Sequence, residues 1–230
     1  MKTSTLSRVL SAVAAVSSIA MFSAIARADD VVDRRGTWSS STGASGSGSS
    51  DTTYSKGQAN TKGTWTNAAG GTGNWQGQRA WNKGTQSGSF AGSATRPNGN
   101  TSTWQGTTKR TGPGAYSSGG TITLANGKQV TFTSTDTRVA PGQWQKQQVF
   151  TNPNGKTVDR TVETTVSPGG ATAKATSTLP NGQKVSTNAS LAASTPGSGT
   201  VTATTTLPNG RTVSSNGSYT QAVSTTSGPN

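Results

Sequence analysis

Three carboxylates lie beyond residue 51: Asp136, Asp159 and Glu163. Paired acids are what glycoside hydrolysis needs, one to protonate the leaving oxygen and one to attack or to activate water. Asp159 and Glu163 are four residues apart, so in a strand they share one face about 13 Å apart, wider than that chemistry uses. The chain has no histidine and no cysteine. That excludes a Ser-His-Asp triad, a thiol nucleophile, a disulfide and the usual zinc site. Serines and threonines are plentiful, but none has a base to activate it. No glycine-rich segment has phosphate-binding spacing, and no cofactor or metal is expected. The residues point to a non-catalytic protein. The alternative is a polysaccharide-modifying enzyme or its carbohydrate-binding accessory module, which would need a pocket joining one of these acids to a tryptophan.

A second set of residues suits binding. The chain carries 20 lysines and arginines against 7 acids, a formal net charge of +13. Such a chain is drawn to polyanions. Between residues 56 and 110 the cations stand among tryptophans. Trp65, Trp75, Trp81 and Trp104 would stack on sugar rings or bases, and Lys62, Arg79, Lys83, Lys109 and Arg110 would supply charge. The competing reading is that the tryptophans cap a poorly apolar core and the charge maintains solubility. Expected partners are an anionic polysaccharide or the cell-envelope surface, together with self-association. No nucleic-acid-binding motif is present, and no specific nucleic acid is expected.

These residues sit on a repeat. Turn triplets fall at Pro97-Asn98-Gly99, Ala125-Asn126-Gly127, Pro153-Asn154-Gly155, Pro180-Asn181-Gly182 and Pro208-Asn209-Gly210, their glycines 28, 28, 27 and 28 residues apart. Between them come Pro113-Gly114, Pro141-Gly142, Pro168-Gly169 and Pro196-Gly197, spaced 28, 27 and 28. Two markers with one period of about 28 residues indicate a repeat architecture. Pro-Asn-Gly suits a three-residue hairpin loop with glycine in the left-handed conformation. Under that register Leu124 faces Lys128, Ile122 faces Val130, Phe150 faces Val158, Ser177 faces Val185 and Thr205 faces Val213. One face is then drier, carrying Val130, Val158, Val185 and Val213 with Phe132, Val162, Ala175 and Val201. The other carries threonine, serine and lysine. This is the period of two expected of strands.

The expected fold is all-β: antiparallel hairpin repeats over 90–230, up to ten strands, forming a meander, sheet or small barrel. One unit has too little apolar surface to fold alone. Strands of this length also suit an outer-membrane barrel, but that wall needs a continuous apolar face, and the drier face includes Lys128, Arg160, Gln183 and Arg211. Thr-x-Thr runs are explained by strand propensity. Residues 29–89 lack the period, and 39–50 read SSSTGASGSGSS. They are expected to form a disordered Gly/Ser-rich arm. Residues 1–28 have a basic start, an apolar run from Val9 to about Ile25, and Ala26 and Ala28 before the acids. This is the pattern of a signal peptide, with no transmembrane segment left after its removal. The protein is therefore expected in the periplasm, at the cell surface or outside the cell.

Overall fold

The structure, a computed structural model, describes residues 30–195 and 197–225. The proposed signal peptide lies outside the described residues. The chain forms fourteen strands: β1 (Asp30–Ser40), β2 (Ser45–Ser55), β3 (Gln58–Asn67), β4 (Thr72–Asn82), β5 (Ser87–Thr95), β6 (Thr101–Gly112), β7 (Ala115–Thr123), β8 (Gln129–Ala140), β9 (Gln143–Thr151), β10 (Thr157–Ser167), β11 (Gly170–Thr178), β12 (Lys184–Thr195), β13 (Ser198–Thr206) and β14 (Thr212–Thr225). Each pairs antiparallel with its chain neighbours, and β1 closes on β14 to make a barrel. The seam runs from Asp30 opposite Thr225 to Ser40 opposite Ser215.

The Pro-Asn-Gly loops and the Ala-Asn-Gly loop behave as their turn chemistry requires. Gly127 has φ 76° and Gly155 has φ 74°, a conformation that costs other residues about 1–2 kcal/mol. Each loop is closed by paired bonds: Leu124 N–H to Lys128 O and Gly127 N–H to Leu124 O, both 2.8 Å. The expected register holds, with Ile122 opposite Val130, Phe150 opposite Val158, Ser177 opposite Val185 and Thr205 opposite Val213. The single 27-residue spacing has a structural origin. The ladder slips by one residue, as a bulge does, before three of the Pro-Gly turns: between Arg110 and Gly112, Arg138 and Ala140, and Ala193 and Thr195. Strand β10 pairs to its end without a slip, so it is one residue shorter.

The segment expected to be a flexible arm, 29–89, instead supplies β1 to β4 and the start of β5 from Asp30 onward. Residues 39–50 form the end of β1, a turn and half of β2. The reason lies in their neighbours. Both β1 and β2 are hydrogen-bonded on each side, and Gly46 of β2 is covered by the Trp38 ring. A boundary near residue 89 would cut through β5.

Alternate residues point into and out of the barrel. The inner face carries all six tryptophans, Phe90, Phe132 and Phe150, and all three tyrosines. In β6 the two faces alternate in exposure from Thr101 to Lys109, the residues that share a face with Trp104 being the less exposed. Rings three strands apart approach each other: Phe90 and Phe132 have centroids 6.1 Å apart, and Trp81 and Tyr116 are 6.2 Å apart. Side chains meet across three strands on the concave side, where they converge. The handedness agrees. Inner-face N–H groups of odd strands bond forward to the next strand, as at Leu124 and Asn152. Followed in chain order, the pairing returns to β1 about 16 residues nearer its C-terminal end. For L-residues in a sheet of normal twist, that displacement puts this face inside.

Fourteen strands spaced about 4.8 Å and tilted about 40° make a wall of roughly 14 Å radius. Among the described residues, the buried apolar ones are Val32, Val158, Val162, Ala171 and Ala175. The aromatic rings therefore line the wall rather than fill a core.

Candidate functional site

The inner wall is built from rings laid on glycines. Trp38 faces Gly46, Trp75 faces Gly63, Trp65 faces Gly73, Trp81 faces Gly88, Trp104 faces Gly92, Phe90 faces Gly106 and Tyr219 faces Gly199. A Cβ added at any of these glycines would meet the facing ring at 3.0 Å or closer. Each glycine leaves a slot one residue wide, and the ring of the neighbouring strand covers it. This shields backbone that a glycine would otherwise leave bare, and it holds the rings flat to the wall.

Cations stand on the same face. Arg79 is directly opposite Phe90, Arg110 opposite Tyr116, and Arg138 opposite Trp144. All three arginines are exposed. Arg34 donates through Nε to Gln221 at 3.0 Å, and Arg110 Nε donates to Gly112 O at 3.1 Å. Lys146 is ion-paired with Asp136 at 3.0 Å. Arg160 stands between Ser177 and Gln148 on the neighbouring strands, and its Nε has no hydrogen-bond partner. Burial pushes its pKa below the ordinary arginine value, although a guanidinium stays charged in proteins. A planar ligand with a carboxylate or sulfate would find ring faces and guanidinium forks on one surface.

The residues singled out from sequence divide between the two faces. Trp65, Trp75, Trp81, Trp104, Arg79 and Arg110 lie on the inner wall. Lys62 and Lys109 point outward, and Lys83 is in the β4–β5 turn. The sequence reading grouped tryptophans and lysines by proximity along the chain, whereas alternation sends neighbours in a strand to opposite sides. It missed Trp38, Trp144, Arg34 and Arg138. The 28-residue repeat held the signal for two of these, since Arg138 and Trp144 are one period beyond Arg110 and Tyr116.

The carboxylates do not converge. Asp159 and Glu163 are exposed on the outer face, and Asp136 is on the inner face in its ion pair with Lys146. Among the described residues no group of three or more acids is placed to hold a metal.

The outer wall is hydroxyl-rich and charged at mid-strand. Asp51 is opposite Lys62, and Glu163 is opposite Lys174. Thr37 and Ser218 hydroxyls meet at 3.0 Å, and those of Ser190 and Thr202 at 2.8 Å. Among the described residues no helix is long and apolar enough to cross a membrane.

A closed, antiparallel, next-neighbour meander with an aromatic and cationic inner wall defines a barrel of porin-like fold. No family model matches the chain, and no curated protein matches it. Among solved structures it is similar to a triple mutant of the Rhodopseudomonas blastica porin, with a TM-score of 0.57 and 7% identity over 84% of this chain and 99% of that one. A second variant of the same porin matches with a TM-score of 0.54, also at 7% identity. At that identity the likeness establishes the fold.

Proposed function

We propose that this is an exported, non-catalytic β-barrel of the cell envelope or cell surface that binds acidic glycan along its inner wall. The observation that carries this reading is the series of arginine–aromatic pairs Arg79–Phe90, Arg110–Tyr116 and Arg138–Trp144, with the glycine-seated Trp81 ring 6.2 Å from Tyr116. Ring faces stack on sugars, and the guanidinium groups take their carboxylates or sulfates. The test is a tryptophan-fluorescence titration with sized oligogalacturonate, and with neutral maltooligosaccharide as control. Saturable quenching by the acidic oligomer is expected, weakened at least tenfold in the triple variant Arg79→Gln, Arg110→Gln, Arg138→Gln. Equal response to the neutral oligomer, or an unaltered triple variant, would sink the reading.

The porin-like fold favours a second reading, a channel set in an outer membrane. The outer wall opposes it. Lys62, Lys109 and Lys174 point outward, and a lysine facing the lipid midplane costs about 2–4 kcal/mol. Purification without detergent separates the two: a barrel that stands in water stays monodisperse and adds no conductance to a planar bilayer.

A further inference from the structure

The meander places every Pro-Asn-Gly or Ala-Asn-Gly hairpin at the same end of the barrel, and each carries one cation. Arg96 precedes the β5–β6 triplet. Lys128, Lys156 and Arg211 follow the glycines of the β7–β8, β9–β10 and β13–β14 turns. Lys184 opens β12 behind the β11–β12 turn. All five are exposed. None makes an ion pair among those found in the described residues, which are Arg35 with Asp33 and Lys146 with Asp136. No acid lies in these five turns; Asp159, three residues into β10, is the nearest along the chain. The remaining turns at this end, Ser40–Ala44 and Asn67–Gly71, are uncharged. At the opposite end, among the described residues, the β2–β3 and β4–β5 turns carry Lys56 and Lys83, and Arg110 and Arg138 stand two residues before the ends of β6 and β8 with their side chains on the inner wall. Successive turns are two strands apart, so neighbouring cations lie roughly 10–13 Å from one another around the rim.

We infer that this rim is an electrostatic docking surface for an anionic lipid bilayer, on which the barrel stands end-on. An arc of single cations at five successive turns of one rim, about a Debye length apart, matches a flat array of phosphate headgroups better than a narrow chain that would touch one or two of them at a time. Each lysine or arginine brought to an anionic membrane surface adds about 1 kcal/mol, about fivefold in partitioning. This docking uses none of the inner-wall residues and does not depend on the glycan reading.

The test is co-sedimentation with vesicles of 30% phosphatidylglycerol in phosphatidylcholine, and with pure phosphatidylcholine. Binding to the anionic vesicles alone is expected, and it should be lost in 0.5 M salt, where the Debye length shrinks to about 4 Å. The variant Arg96→Gln, Lys128→Gln, Lys156→Gln, Lys184→Gln, Arg211→Gln should bind at least a hundredfold more weakly, with unchanged circular dichroism. A variant of equal net charge, Arg35→Gln, Lys56→Gln, Lys62→Gln, Lys109→Gln, Lys174→Gln, should bind within severalfold of the parent. Equal losses in the two variants would overturn the proposal in favour of unlocalised charge attraction. So would parent-like binding of the rim variant, or displacement from vesicles by stoichiometric soluble polygalacturonate. Oligogalacturonate quenching in the rim variant reports on the inner wall separately, so either idea can fail alone.

Discussion

The seating of rings on glycines can be tested at two glycines that face each other. Gly77 and Gly92 are paired across β4 and β5 on the inner face. A Cβ at Gly77 would find its nearest atoms at 3.7 Å, Ala91 O, and 3.9 Å, on the Trp104 ring. That is ordinary contact. A Cβ at Gly92 would overlap the Trp104 ring and crowd Gln76 O, a backbone atom that cannot swing away. Neither glycine has positive φ, so backbone strain does not separate them. Replacing glycine by alanine restricts the unfolded chain and stabilises by about 0.4–1 kcal/mol when the site accepts the methyl group. Gly77→Ala should show that gain. Gly92→Ala should set against it an overpacking cost of about 1–3 kcal/mol, leaving the two variants roughly 1–3 kcal/mol apart. At this chain length each kcal/mol moves Tm by about 2–4 °C. Guanidinium unfolding followed by tryptophan emission and far-UV circular dichroism gives the difference. Equal stability of the two variants, or a more stable Gly92→Ala, would refute the idea that rings seated on glycines organise the wall.

Other outcomes follow from the same geometry. Gly127→Val, at φ 76°, should lower stability by about 1–2 kcal/mol, read as a fall in the urea midpoint; an unchanged midpoint contradicts the left-handed turn. Deleting Val139, which is 58% exposed and lies in the slip between Arg138 and Ala140, converts β8 to the unslipped pattern of β10; a cost below about 1 kcal/mol is expected in thermal melts, and collapse of the fold would contradict the account of the 27-residue spacing. Arg160→Met removes a buried donor without a partner, whose desolvation costs about 1–3 kcal/mol, so chemical denaturation should show a more stable barrel. The Lys146–Asp136 pair, with side chains 31% and 28% exposed, should show a coupling of about 0.5–1 kcal/mol in a double-mutant cycle, shrinking as salt is raised.

Much of the barrel was legible because its information is local. A Pro-Asn-Gly triplet sets its own turn, and the turn sets the register of two strands. For that reason the pairs Ile122–Val130, Phe150–Val158 and Thr205–Val213 could be written from the chain alone. The drier face was also legible from alternation, and it is the inner wall. Residues 30–89 were not legible as strands. Their periodicity is carried by glycines opposite tryptophans of other strands, as at Gly46 with Trp38, and no pattern within one strand shows that such a glycine will be covered.

The sequence by itself determined the hairpins, their period, the two unlike faces and the excess of positive charge, since each depends on residues close together in the chain. Only the tertiary structure decided that the meander closes, β1 on β14, because closure pairs segments nearly two hundred residues apart and leaves no local trace. Closure then decides the rest. Curvature gives the two faces an inside and an outside, and gathers arginines and aromatic rings from separate strands onto one concave wall.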